Sequence, residues 1–155
     1  MVTNEQNQKG IAYLWMLFLI FLFALGLGKT LEVYSTIQQR EKEQELLYVG
    51  NLYREAIKQY YLSGRDNKVY PKSLDDLLKD PRHLVVRRYL RELYLDPITN
   101  RPFIVILAPE GGIWGVRSSS SVPVIKVSGF GDKYQSFEKA KTYQDWDFIY
   151  SGEEY

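Results

Sequence analysis

The amino-terminal part of the chain contains one long apolar run. From Ile11 to Gly28, eighteen residues follow one another without a charge, and no polar face interrupts them. As a helix this run would be about 27 Å long, close to the hydrocarbon thickness of a bilayer. We therefore predict a membrane-spanning helix over residues 11–28, preceded by a leader at residues 1–10. The alternative is a removed signal peptide, in which the apolar region is usually shorter.

A second helical pattern follows the apolar run directly. No proline occurs in Ile11–Tyr70, so residues 29–62 can extend the same helix. The stretch Gln38–Gln44 is entirely polar, which predicts a solvated segment, and Ser63 and Gly64 supply the stop. The extension is amphipathic, with apolar residues at Leu31, Tyr34, Ile37, Leu47, Tyr48, Leu52, Ala56, Ile57 and Tyr60.

Residues 63–155 show a different periodicity, which predicts a small α+β head. Ser73 is a predicted helix N-cap with Asp76 at the reciprocal position, and a second short helix is expected at Leu84–Leu93. Asp96–Asn100 is a turn cluster. Runs of β-branched and aromatic residues predict an antiparallel sheet of three to four strands, packed against the long helix. These runs are residues 103–107, 113–116, 122–127 and 146–150.

Composition narrows the possible functions. The chain has 155 residues and a net charge of +1, which argues against a nucleic-acid partner. It has no cysteine and a single histidine, which excludes disulfides, thiolate chemistry and metal clusters held by cysteine or histidine. No acid–base constellation is visible in the sequence, so we expect a protein that is not an enzyme.

The charges that flank the apolar run do not fix its orientation, because basic residues such as Lys9 and Lys29 lie on both sides. The short leader favours an amino terminus in the cytoplasm, which places the head across the membrane. Helix association in lipid depends on close packing, so Gly26 and Gly28 are candidate contact points between helices.

Two groups of polar residues could carry chemistry. The four arginines between residues 82 and 91 lie beside His83, and we prefer a solvated helix face to a contact with lipid phosphates or an acidic partner. Near the carboxyl end, Asp132, Asp145 and Asp147 are weak candidates for a calcium site. An EF-hand spacing is absent, however, and nearby lysines dilute the negative charge. We therefore favour no bound cofactor and keep calcium as the alternative.

Several segments together carry a family resemblance. They are Gln8-Lys9-Gly10 before the apolar run, YPKSLDDLLKDPR, RRYLRELYLDPITNRPF, GGIWGV and the closing YQDWDFIY. With the long helix, they resemble bacterial type II secretion pseudopilins of the type IV pilin-like family, and more specifically a subgroup related to the major pseudopilin. The resemblance covers nearly the whole chain. It implies a type IV pilin fold, in which a long amino-terminal helix lies against a small antiparallel sheet.

The resemblance also implies how the protein is processed and assembled. In this family a prepilin peptidase cleaves after the glycine that corresponds to Gly10 and methylates the new amino terminus, here Ile11. The subunits then pack with other pseudopilins, on an inner-membrane assembly platform, into a short periplasmic filament that assists protein export. Major pseudopilins bind calcium in the C-terminal loop, which corresponds to the region of the three aspartates named above.

The chain departs from the family pattern in two ways. Trp15 stands where members commonly carry a glutamate, and the proline that kinks the helix is missing. Trp15 fits lipid without a partner, which favours a minor or tip subunit. We therefore predict a single-pass subunit of a secretion pseudopilus or related filament, anchored in the bacterial inner membrane with its head in the periplasm. The alternative is an unprocessed, signal-anchored binding or scaffold module of the periplasm.

Overall fold

The computed structural model describes the backbone of residues 5–64 and 68–152, and the side chains of residues 11–24, 34–64 and 68–152. One helix, α1, begins at Glu5 and ends at Ser63, and it covers the whole of the predicted long helix. Packing divides the chain into one compact unit that ends at Gln38 and another that begins at Gln39. Over the described residues, no helix combines the length and the apolar character needed to cross a membrane.

The second unit contains a three-stranded antiparallel sheet with the order β1-β2-β3. Its strands are β1 (Ile104–Leu107), β2 (Ile113–Arg117) and β3 (Asp147–Ile149). β2 is central, because Val116 pairs with Val105 on one side and with Phe148 on the other. The chain is therefore an α+β protein with a long helix and a small antiparallel sheet, as the sequence predicts at this level.

The strand predicted at residues 122–127 is not formed. In this segment the structure has one isolated bridge, between Pro123 and Thr142. Pro123 has no N–H group to donate, and the N–H groups of Ile125 and Lys126 donate to the Glu43 carboxylate of α1. The segment makes only isolated backbone contacts with residues 141–143, because Pro123 cannot donate and the donors of residues 125 and 126 are bonded to the Glu43 side chain.

The short helix predicted at Leu84–Leu93 is also wrong. The N–H groups of Tyr89 and Leu90 both donate to the Leu77 carbonyl, at 2.9 and 3.1 Å, instead of closing a helical turn. Two consecutive valines in this stretch are β-branched, which lowers helix propensity. Leu90 is buried, whereas Leu84 is fully exposed, so these two leucines of the predicted helix do not share one buried face.

The described 3₁₀ helices are Leu74–Leu77, Asp132–Lys139 and Tyr143–Asp145. Two of them begin with the same local device, a reciprocal capping box. Ser73 and Asp76 form the box that the sequence predicts. Thr142 and Asp145 form a second one, which fixes the chain just before β3.

The core of the second unit lies between α1 and the sheet. Leu46, Val49 and Tyr53 of α1 are buried there, as is Ile57. Tyr48, a predicted member of the apolar face, is 65 % exposed instead. The hydrophobic pattern wrongly includes Tyr48 in the apolar face because the pattern counts tyrosine as apolar. The tyrosine hydroxyl lets the ring remain in water.

A close contact explains the glycine in this part of α1. A β-carbon built on Gly50 would lie 2.5 Å from ring atoms of Phe148 in β3. The Phe148 ring is completely buried and packs edge-on against Phe137, with 5.3 Å between the ring centroids. Because this ring has no room to move, only glycine lets α1 approach the sheet so closely.

Candidate interaction surface

The described start of α1 is an apolar surface. All side chains from Ile11 to Ala24 are exposed, and none of them is charged. Trp15 is 62 % and Phe23 is 72 % exposed. Burial of a large apolar side chain is worth about 1.5–3 kcal/mol, so a whole segment left in water is strongly unfavourable. This surface therefore calls for a partner that is itself apolar.

Trp15 lies within this surface. Its ring meets the ring of Phe18 in a T-shaped contact with 6.0 Å between centroids. The site thus contains a neutral aromatic pair, and no carboxylate occurs in the surrounding residues 11–24. Ile11, the predicted new amino terminus, is 57 % exposed. The surroundings of Gly10, Gly26 and Gly28, the other predicted processing and assembly residues, lie outside the described side chains.

A buried carboxylate ties α1 to the head of the second unit. Glu43 is 3 % exposed. Its oxygens accept hydrogen bonds from the N–H groups of Ile125 and Lys126, at 2.9 and 3.0 Å, and from the Tyr143 hydroxyl at 2.8 Å. Gln39 donates to the same hydroxyl and to a carbonyl of the neighbouring segment. The predicted solvated stretch Gln38–Gln44 is exposed at most positions, but the prediction is wrong at Glu43, where three donors of the head compensate the buried charge.

Burial also shifts the titration of the tyrosine in this contact. Desolvation raises the pKa of Tyr143 to about 12. The hydrogen bond from Gln39 lowers this pKa, and the hydrogen bond to Glu43 raises it further. The hydroxyl therefore stays protonated and remains a donor to the carboxylate at all pH values near neutral. The sequence gives no signal for this pair, since its members are a hundred positions apart.

Two more α1 side chains hold the head through backbone carbonyls. The Arg54 guanidinium, 1 % exposed, donates from Nε to the carbonyl of Ile149 at 2.9 Å. The Tyr53 hydroxyl donates to the carbonyl of Tyr94 at 2.9 Å. Desolvation raises the pKa of Tyr53 to about 12. These contacts give the second unit a fixed helix–sheet packing that the apolar pattern alone did not indicate.

The last turn of α1 is joined to residues 80–89 by a charged network. Asp80, with a fully buried side chain, accepts two bonds from the Arg82 guanidinium at 2.9 and 2.7 Å. The Tyr89 hydroxyl lies 2.8 Å from both Asp80 and Ser63. The Arg82 guanidinium also covers the Tyr60 ring, 3.6 Å from its centroid. Arg82 is therefore a structural residue, and the predicted solvated helix face does not describe it.

Asp80 titrates well below the ordinary range for a carboxyl. Burial raises its pKa, but the hydrogen bonds from Arg82 and Tyr89 outweigh burial and lower the pKa to about 2. His83 lies beside this pair, with Nε2 3.5 Å from an Asp80 oxygen. The carboxylate is bonded to the arginine and the tyrosine, so this cluster holds residues 80–89 against the end of α1.

The turn at residues 96–100 is also held by a buried carboxylate. Asp96 is 0 % exposed and accepts from the Ile98 N–H, the Thr99 hydroxyl and the Ser118 hydroxyl at 3.0, 2.6 and 2.7 Å. Asn100 closes the turn with a φ of 54°, in the left-handed region that asparagine tolerates. Ser118, the first of four consecutive serines that follow β2, thus contributes its hydroxyl to this turn.

The three aspartates proposed as calcium ligands have other roles. Asp145 accepts from the N–H groups of Lys141 and Thr142, which lower its pKa. Asp147 lies 3.7 Å from the Arg117 guanidinium, and burial raises its pKa. Asp132 begins a 3₁₀ helix. Over the described residues, no group of three or more histidine, aspartate or glutamate side chains is arranged to hold a metal ion.

A groove of about 340 Å³ lies beside Glu43, between α1 and residues 125–128. Arg40 and Lys126 contribute to its lining, with Leu47 as an apolar element. The carboxylate in this lining already accepts the hydrogen bonds described above. The ammonium group of Lys126 lies 4.8 Å from the centroid of the Phe130 ring. Two charged residues of the groove, Glu43 and Lys126, thus make contacts within the unit, and the groove is a weaker candidate site than the apolar surface of residues 11–24.

Comparison of the chain with models of protein families, with curated protein sequences and with solved structures finds no significant match. The sequence resemblance and the geometry described above are therefore the basis for a functional proposal. The geometry contributes two elements, an apolar helical surface at residues 11–24 and a head that is attached to the later part of the same helix.

Proposed function

We propose that the chain is a non-enzymatic structural subunit of a type II secretion pseudopilus or a related type IV pilus-like filament. In this proposal, residues 11–28 anchor α1 in the bacterial inner membrane, and the head, in a type IV pilin-like arrangement, lies in the periplasm. The observation that carries the proposal is the uncharged, exposed surface of residues 11–24 on a helix that also forms part of the core of a folded head.

The chemistry of that surface supports assembly through helices. Lipid tails and apolar helices from other subunits are the two environments that satisfy exposed leucine, isoleucine and phenylalanine side chains. The backbone of α1 needs no partner in lipid, because its hydrogen bonds close within the helix. Such a helix first anchors the monomer and later packs among the helices of other pseudopilins or pilins.

Trp15 supports a position at the end of a filament. Pseudopilins commonly carry a glutamate at this place, which is thought to pair with the amino terminus of a neighbouring subunit. Trp15 is neutral and its ring contacts Phe18, so it needs no such neighbour. Without the carboxylate, this chain cannot form that ion pair with the amino terminus of a neighbouring subunit. We therefore propose a minor or tip role.

The proposal is tested by the mass of the amino terminus in bacterial cells with and without a prepilin peptidase. Cleavage after Gly10 removes ten residues. Methylation of the new amino terminus by the peptidase then adds one methyl group to Ile11. We expect the shortened, methylated chain only when the peptidase is present. Substitution Gly10→Val should abolish processing, while Gly26→Ala, a matched change further along α1, should leave it intact.

A chain that keeps residues 1–10 in cells with active peptidase would contradict the proposal and favour the signal-anchored module.

Position within the filament is tested separately, by crosslinking through single cysteines introduced in the exposed segment. The chain has no native cysteine, so Leu17→Cys gives a unique crosslinking site. We expect crosslinks to other subunits and no ladder of homopolymers. A regular homopolymer ladder would exclude the tip role.

A further inference from the structure

Residues 80–87 form a closed loop at the last turn of α1. The N–H group of Asp80 donates to the Arg87 carbonyl at 3.1 Å, which joins the two ends of the loop. Beneath it, the Asp80 carboxylate is held by Arg82 and Tyr89 as described above. Arg82 Nη2 also donates to the Tyr60 carbonyl at 2.8 Å. The base of the loop is therefore fixed to the helix by charged hydrogen bonds.

The tip of this loop consists of three consecutive aliphatic side chains in water. Leu84 is 107 %, Val85 is 78 % and Val86 is 61 % exposed. Isolated exposed aliphatic residues are common on protein surfaces, but an uninterrupted exposed run of three is unusual in a folded head unless it has a function. Because the base is fixed, the tip cannot turn inward without breaking the buried Asp80 network.

Basic residues flank the tip in the sequence. Residues 82–91 contain four arginines and no acidic residue. Arg87, Arg88 and Arg91 are exposed. Among the described residues, Arg87 and Arg91 have no carboxylate within ion-pair distance, and Arg88 Nε makes a long contact of 3.4 Å to a backbone carbonyl. Their guanidinium groups are therefore available for phosphate oxygens, which they bind well.

The size and shape of this feature favour a lipid surface over a protein partner. A stable protein interface buries roughly 800 Å² on each side, more than three aliphatic side chains supply. A lipid surface requires no such area, because each aliphatic residue enters the acyl boundary by itself and each arginine meets a headgroup. The exposed aliphatic residues suit the acyl boundary of an anionic bilayer, and the exposed arginines that follow them in the sequence suit its headgroup layer.

We infer that the loop of residues 80–87 docks on the surface of an anionic phospholipid bilayer, with Leu84, Val85 and Val86 entering the acyl boundary and Arg87 and Arg88 contacting phosphates. This contact is additional to any anchoring by α1 and does not rest on the proposed function. It gives the head a site of its own for lipid, selective for negatively charged headgroups.

The full chain tests this directly, because a single introduced cysteine is a unique labelling site. Val85→Cys is labelled with an environment-sensitive fluorophore and mixed with vesicles of phosphatidylcholine alone or of phosphatidylcholine with phosphatidylglycerol. We expect a blue-shifted, brighter emission only with the anionic vesicles. The same label at Leu107, an aliphatic residue of β1 that is 65 % exposed, should not change. Equal emission from Val85→Cys in both lipids would overturn the inference.

Charge variants separate specific contact from general attraction. Arg87→Glu with Arg88→Glu should lower the ratio of bound to free loop at least about twenty-fivefold, since each basic residue contributes about a factor of five. Lys139→Glu with Lys141→Glu makes the same change of net charge at exposed sites elsewhere and should have little effect. An equal loss in both pairs would also overturn the inference.

A label at Leu19 reports the behaviour of α1 independently. If α1 enters bilayers, this label responds to both lipid compositions, whereas the Val85 label responds to the anionic one alone. A Leu19 label that does not respond would contradict membrane anchoring, yet the loop would still bind anionic vesicles. The two proposals therefore fail separately.

Discussion

The carboxylate of Glu43, near the middle of α1, accepts a 2.8 Å hydrogen bond from the hydroxyl of Tyr143, a hundred residues further along the chain. Both side chains are buried. The same carboxylate accepts the N–H groups of residues 125 and 126, so one glutamate bonds two consecutive backbone donors of the head. This contact orders the head along α1.

Glu43→Ala should therefore destabilise the second unit. The substitution leaves two partly buried N–H groups and one buried hydroxyl without their carboxylate acceptor, for which we expect a loss of about 2–3 kcal/mol in the free energy of unfolding. Urea unfolding followed by near-ultraviolet circular dichroism measures this change. Glu45→Ala, at an exposed position two residues away, should stay within about 0.5 kcal/mol of the wild type. Equal stabilities of the two variants would show that the buried contact contributes nothing.

The lowered pKa of Asp80 predicts that the folded chain loses stability in acid. This pKa is lowered to about 2 in the folded chain from an ordinary 3.8, so the carboxylate favours the folded state above about pH 4. That contribution is lost as the pH falls from about 4 to 2, because in this range the unfolded chain takes up a proton that the folded carboxylate does not. Denaturant midpoints measured across this range should fall more steeply for the wild type than for Asp80→Asn.

The control for this prediction is Asp75→Asn, at an exposed position of the neighbouring 3₁₀ helix. Its acid profile should follow that of the wild type. At neutral pH, Asp80→Asn should lose about 2–3 kcal/mol, since charged hydrogen bonds to Arg82 and Tyr89 are replaced by weaker ones. An unchanged acid profile in Asp80→Asn would disprove the role of this carboxylate.

Gly50→Ala tests the close packing of α1 on the sheet. Alanine is the better helix former by about 1 kcal/mol, so helix propensity alone predicts a more stable protein. The added β-carbon would lie 2.5 Å from the buried ring of Phe148, however, and overpacking of this kind costs about 1–3 kcal/mol. We expect a net loss of stability, read from the thermal midpoint.

Gly131→Ala is the matched control for this glycine. Gly131 has a φ of −68°, and a β-carbon there meets nothing within 4 Å, so alanine is compatible with the native backbone. Its thermal midpoint should be unchanged or slightly higher. If Gly50→Ala proved as harmless as Gly131→Ala, the contact between α1 and Phe148 would have to be looser than the structure indicates.

Calcium should have no effect on the stability of the head. Asp145 is used as a helix cap and Asp147 faces Arg117, so binding of an ion would have to break these contacts first. We expect equal thermal midpoints in chelator and in millimolar calcium, with magnesium as the control for ionic strength. A midpoint that rises with calcium alone would restore Asp132, Asp145 and Asp147 as candidate ligands.

Features that depend on neighbouring residues were well predicted from the sequence. The long helix follows from a proline-free run of helix formers, and the box of Ser73 and Asp76 follows from a spacing of three. The runs at 103–107 and 146–150 each contain a strand of the sheet, and the run at 113–116 covers all of β2 except its last residue. In each case the interactions that fix the structure lie within a few positions of one another.

Predictions that required distant partners were less successful. Residues 122–127 have the composition of a strand, but two of their backbone donors bond to Glu43, which the sequence places in a stretch predicted to be solvated. Leu84–Leu93 has helical spacing, but its backbone bonds to Leu77. The buried arginine and the buried aspartates were not predicted either, because a charged residue is assigned to the surface unless its partner is known.

The sequence by itself determined that this chain has a long helix with an uncharged apolar segment, a following α+β head and no cysteine chemistry, because composition and periodicity are local properties. Only the tertiary structure decided which polar side chains are buried, which valines and leucines remain in water, and why Gly50 is a glycine. Burial of a charge depends on donors brought together from remote parts of the chain, and an exposed loop depends on a base fixed elsewhere, so neither is encoded in any short stretch of residues.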